Sequence, residues 1–195
     1  MRIRIAFLAM IFTVMATNLS AQDFAIKSNI LSDITGSASL GIEFGGSNPQ
    51  LSYDITGHYS PWNRSNGKIS KHAYVLPEVR WWFCDHFSGH FLAAHALGGI
   101  YNIGNIDADF RFLGRDYSQL KDYRFQGWFA GAGVAYGYDL ILSRHWNLEF
   151  EFGLGYIYSR GDKYECKECG DTIYENIPSH YVGPTKAAIS LVYVF

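Results

Sequence analysis

Proline, cysteine and charge are all scarce in this chain, and each scarcity narrows what it can be. Of 195 residues only 5 are proline and 3 are cysteine, and Asp, Glu, Lys and Arg together make up 17%. Three cysteines cannot build a dense disulfide scaffold, so the fold must rest on burial and hydrogen bonding. A formal net charge of −2 leaves no broad basic surface, which sets nucleic acid aside as a partner. Runs with helical period are hard to find beyond Phe24. What the chain does have is 17% aromatic residues and 20 glycines, a β-rich profile in a length that suits one domain.

Period-two runs recur along the whole chain after Phe24. The clearest is WNLEFEFGLGYIYS, Trp146 to Ser159, in which Trp146, Leu148, Phe150, Phe152, Leu154, Tyr156 and Tyr158 alternate with Asn147, Glu149, Glu151, Gly153, Gly155, Ile157 and Ser159. Strands are expected near 24–31, 37–45, 50–60, 72–84, 88–103, 125–142, 145–159 and 183–195, about eight in all. The same alternation sets Leu51, Tyr53, Ile55, Gly57 and Tyr59 against Ser52, Asp54, Thr56, His58 and Ser60. It also sets Val75, Val79, Trp81 and Phe83 against Glu78, Arg80 and Trp82, and Ala187, Ile189, Leu191, Tyr193 and Phe195 against their neighbours.

Alternation alone does not say which set faces inward. A soluble barrel would bury the apolar set, whereas a membrane barrel turns it to lipid. Three features select the membrane. Several runs exceed the ~9–11 residues a tilted strand needs to cross the hydrocarbon core. Tyr and Trp gather toward the run ends (Tyr53 and Tyr59, Trp128 with Tyr136 and Tyr138, Trp146 with Tyr156 and Tyr158), as interfacial girdles do. Connections alternate between short (45–49, 84–88, 141–146) and long and polar (60–71, 104–124, 160–182), apart from a short first outer connection near Ser32 and Asp33. The expected architecture is therefore an all-β, antiparallel, up-and-down transmembrane β-barrel of about eight strands. Residues 1–21 read as a signal peptide cleaved after Ala21, from basic Arg2 and Arg4 through the apolar Ile5 to Met15, and residues 22–195 as the barrel domain.

With the aromatic set in lipid, the polar set lines a narrow interior. Lys27, Arg80 and Lys186 are expected to pair there with Glu43, Asp54, Glu78, Asp139, Glu149 and Glu151, because isolated charges would be costly and a satisfied network is tolerated. Gly127, Gly131, Gly133 and Gly137 are expected on the inner face, making room for Arg80 and Trp82, so that the barrel is a plug and not an open pore. Pro77 falls inside a strand, and a bulge is expected beside it.

Cys166 and Cys169 form a C-x-x-C pair in a polar loop. The expected reading is a local disulfide, with a zinc site that recruits His180 as the alternative, and Cys84 is left as a free thiol. Arg160-Gly161-Asp162 spells an adhesion-type tripeptide but reads as an ordinary solvated turn. His86, His90 and His95 do not share one strand face and are not expected to hold a metal. The stretch Asp107 to Phe125 mixes aromatics with charges, which suits either a contact surface for protein or glycan or a loop packing Phe110, Phe112 and Tyr117 over the barrel mouth.

The runs PEVRWWFCDHFSGHFLAAHALGGIYNIG (77–104), RFQGWFAGAGVAYGYDLILSRHWNLEFEFGLGYIY (124–158) and GPTKAAISLVYVF (183–195) resemble the DUF3575 family of Bacteroidota outer-membrane proteins. The resemblance implies an exported barrel of uncharacterised function, sometimes encoded near fimbrial or other surface genes, with no catalytic residues or cofactors to transfer. The alternating end with Leu191, Tyr193 and Phe195 looks like the terminal-strand sorting signal that barrel-assembly machinery reads. The expected role is structural, surface-interacting or assembly-accessory, with outer-membrane lipid and a surface or fimbrial protein as partners. The alternative is a membrane-embedded hydrolase or acyltransferase acting on lipid A or peptides, for which His58 with Ser60, and His180 with Ser179, are the rim candidates.

Overall fold

The computed structural model describes residues 24–61, 69–104, 111–112, 115–116, 124–164 and 172–195. Among the described residues ten strands run in chain order as β1 (Phe24–Asn29), β2 (Ala38–Gly45), β3 (Leu51–Ser60), β4 (Ile69–Trp82), β5 (Gly89–Gly104), β6 (Arg111–Phe112), β7 (Arg115–Asp116), β8 (Arg124–Ile141), β9 (Trp146–Tyr164) and β10 (Thr172–Val194). Eight of them close an antiparallel barrel in the order β1-β10-β9-β8-β5-β4-β3-β2, while β6 and β7 pair only with each other between β5 and β8. One short helix, α1 (Ile30–Ile34), links β1 to β2, and Asn29 caps it by accepting bonds from the amides of Leu31 and Ser32. Among the described residues no helix is long and apolar enough to cross a membrane, so crossing falls to strands.

Closure joins the two ends of the barrel sequence. The Phe195 amide donates to the Phe24 carbonyl at 3.0 Å, and the two rings lie 5.1 Å apart. No strand edge therefore faces lipid along the β1–β10 seam below Asn29.

The alternation falls as read. On β3 the even residues Ser52 to Ser60 are buried and the odd ones face out, and on β9 Asn147, Glu149 and Glu151 point in while Trp146, Phe150 and Phe152 point out. The exterior is correspondingly apolar, with Trp81 61% and Val134 66% exposed, and aromatics crowd both ends of the strands. Such a surface is stable only against hydrocarbon.

Three expectations are corrected. The last strand begins at Thr172, not Gly183, and β9 runs to Tyr164, so the third long connection shrinks to residues 165–171. Strand beyond the bilayer needs ladder bonds but no apolar face, so its polar sequence reads as loop. Arg160-Gly161-Asp162 accordingly lies in β9 and not in a turn, with Gly161 paired to Gly127. Pro77 makes no bulge. It pairs with Ile55, and on its other side the ladder skips from Val75↔Gly98 to Glu78↔His95 without a change of register, because proline only withholds an N–H. Register shifts fall instead in β10, two between Thr172 and Ile177 and a third where Thr185 is extra between Pro184↔Leu154 and Lys186↔Gly153.

Candidate functional site

Inside the barrel the side chains form layers. At the short-turn end, Trp82, Phe91 and Phe87 close the bore with Ala25 and Val192. Trp82 and Phe91 pack with their rings tilted at 43° and centroids 4.6 Å apart. Phe87 turns into the bore on a left-handed backbone (φ 61°), a conformation costly for an aromatic residue, and Asn147 Nδ2 holds its carbonyl at 2.9 Å.

Above this floor lies an ionic layer centred on Arg80, which is fully buried. Its guanidinium rests over the Phe91 ring, 4.5 Å from the centroid. Nε donates to Glu78 at 2.6 Å, Nη1 to Glu43 at 2.8 Å and Nη2 to Glu151 at 2.8 Å, and the group forks onto both oxygens of Glu149. Lys27 Nζ reaches Glu43 at 2.7 Å, Asp54 at 2.9 Å and Glu149 at 3.5 Å. Lys186 Nζ reaches Glu78 and Glu151, each at 2.7 Å. Neutral donors complete the shell: Ser52 Oγ donates to Glu43 while accepting from Trp82 Nε1, and Thr56 donates to Asp54. Three cations thus hold five carboxylates in one network, whose fixed geometry offsets the cost of burying them.

Toward the other end the layer gives way to His95, whose Nε2 meets the bulge hydroxyl Thr185 Oγ1 at 2.9 Å. Beyond it is a cavity of about 70 Å³ lined by Lys27, Thr56, Tyr74 and Thr185 among others. His58 stacks on Tyr74 there, ring centroids 4.4 Å apart.

A family profile described as "Protein of unknown function (DUF3575)" matches residues 6–195. The chain belongs to the DUF3575 family. No curated protein matches this DUF3575 member. Among solved structures it is similar to the E. coli outer membrane protein W determined by NMR in solution, at 14% identity, over 90% of this chain and 99% of that one, with a TM-score of 0.38.

Of the interior residues expected from the sequence of this DUF3575 chain, Lys27, Glu43, Asp54, Glu78, Arg80, Glu149, Glu151 and Lys186 meet in the network. Asp139 does not join it. It lies opposite Glu149 in the β8–β9 ladder, but its Oδ2 accepts from Asn147 Nδ2 at 3.2 Å, and it is in none of the ion pairs of the network. The inner-face glycines make room for residues other than those expected: a Cβ at Gly137 would strike the Phe91 ring, and one at Gly133 would sit 2.7 Å from His95 Nε2. They support Arg80 only indirectly, through Phe91.

His58 and Ser60 share the inner face of β3, as expected, but the two rim pairs are not brought together. His58 and Ser60 are buried inside, whereas His180 is exposed on the outer surface with its Nδ1 2.5 Å from the Tyr156 hydroxyl. Leu191 and Phe195 face outward, and Tyr193 packs edge-on against Trp146 and Phe195. Cys84 is a free, exposed thiol. Residues 1–21, expected to be a signal peptide, Cys166 with Cys169, and Phe110 and Tyr117 lie outside the described residues. Ser52, Thr56, His95, Asn147 and Thr185 are interior partners that charge counting missed. Strand parity marks Ser52, Thr56 and Asn147, while Thr185 depends on the bulge.

Proposed function

We propose that this DUF3575 member is an outer-membrane β-barrel with a filled, structural interior, whose long-connection end is its surface for an extracellular or assembly partner. The carrying observation is the inversion of polarity across the wall, with Trp81 turned outward and 61% exposed beside Arg80, which is completely buried. A soluble barrel would have no use for that arrangement. The interior offers charge compensation and not an open reaction site, which favours a structural or assembly-accessory role over catalysis, and a surface or fimbrial protein fits the rim connections. Detergent-extracted protein from an outer-membrane fraction should migrate faster unboiled than boiled. Recovery in a soluble fraction without a heat-dependent shift would overturn the reading. Photo-crosslinkers in connections 61–68 and 105–123 should then give discrete adducts with one surface protein.

A further inference from the structure

The outward face of β4, β5, β8 and β9 carries a groove that descends from the rim into the lipid belt. Four directly opposed residues form its upper edge: Lys71 pairs with Asn102, Asn102 with Gln126, and Gln126 with Asp162. The next row down is Ala73, Ile100, Trp128 and Arg160. The upper groove has a volume of about 560 Å³, with Tyr59 and Trp128 among its walls. It continues past Ala73 into a second depression of about 340 Å³ over Gly57, Val75 and Gly98. Cβ atoms added at Gly57 or Gly98 would meet nothing closer than 3.9 Å, so the hollow is external and not filled by the protein's own side chains.

Both position and charge indicate what fills it. The side chains that wall it, Tyr59, Val75, Ile100 and Trp128, belong to the outward, lipid-facing set, over a floor that includes residues of the inward set such as His58, His72 and Tyr101, so lipid is the solvent of the lower part. The upper row stands beside Tyr59 and Trp128, at girdle and headgroup depth. Lys71 and Asp162 line the groove itself, and Arg124 one row above and Arg160 one row below flank it, so three cations stand around one carboxylate. Arg124 is held in place at the rim, with Nε on Asn102 Oδ1 at 2.9 Å and Nη2 on Gln126 Oε1 at 2.8 Å. From Lys71 to the β9 residues is three strand spacings, about 14 Å. That span, edged by cations and carboxamides, suits a headgroup carrying hydroxyls and more than one phosphate.

Building on the outer-membrane reading above, we infer that this groove binds one phosphorylated glycolipid of the outer leaflet. Its phosphates lie against Lys71, Arg124 and Arg160, and an acyl chain runs down over Ala73 and Gly98. The test is native mass spectrometry of the mature protein in detergent, titrated separately with diphosphorylated lipid A, phosphatidylglycerol and phosphatidylethanolamine. Lipid A should be retained best, and K71Q/R160Q should weaken it by about tenfold or more while leaving phosphatidylethanolamine unchanged. G98L should weaken lipid A by filling the chain track. Both variants should keep the unboiled fast-migrating form, which separates loss of the site from loss of the barrel. Equal retention of phosphatidylglycerol and lipid A, or unchanged lipid A binding in both variants, would overturn the inference. Loss of the fast form in the unmutated protein would instead overturn the barrel reading.

Discussion

Arg80 compensates four carboxylates at once, so its removal strands charge where water cannot reach. Arg80→Met should cost about 3–5 kcal/mol, read as a lower urea midpoint for loss of the fast-migrating form, and Arg80→Lys should recover only part because a point charge cannot fork onto Glu149. Glycines should divide by face. Gly137→Ala drives a methyl into Phe91 and should destabilise by about 1–3 kcal/mol, whereas Gly98→Ala, with nothing nearer than 3.9 Å, should be near neutral in the same assay. Network membership was legible for eight residues because charge on the inward parity of a membrane strand has nowhere else to go. It failed for Asp139 because parity fixes the face but not which partners a side chain reaches, and Asn147 bonds one oxygen of that carboxylate while the other makes no hydrogen bond.

The strands were legible where they cross lipid and less so beyond it. Alternation from Trp146 to Tyr158 is required by two different solvents, but Thr172 to Ile177 pairs with β9 beyond Arg160, past the bilayer, with no such demand. The bulge was misplaced for a related reason: Pro77 announces a missing N–H, which a skipped ladder step absorbs, whereas Thr185 is inserted without any compositional mark. That insertion keeps both ends of β10 in phase, since a one-residue slip exchanges the faces of a strand. Deleting Thr185 should therefore remove the His95 partner, force the segment above or below to reverse its faces, and lower the yield of fast-migrating barrel. Phe195→Ala removes the ring that meets Phe24 and Tyr193, and should lower barrel yield in the outer membrane with accumulation of unassembled chain.

At the scale of the molecule, the barrel is a polar core inside an apolar surface, with Arg80 and Trp82 both wholly buried across the bore. Planar bilayers containing the protein should show no conductance steps. Its overall class followed from composition and period, because a lipid exterior constrains every second residue for most of the chain, while its biological partner did not, because rim connections answer to no such solvent.

The most direct test uses the neighbours Trp81 and Trp82. Two single-tryptophan proteins, each with the other four tryptophans replaced by phenylalanine, would be reconstituted in bilayers with brominated acyl chains. Trp81 should be strongly quenched and Trp82, hydrogen-bonded to Ser52 inside, should be nearly unaffected. Equal quenching, or quenching of Trp82 alone, would contradict a barrel with its aromatic face in lipid and its charges within.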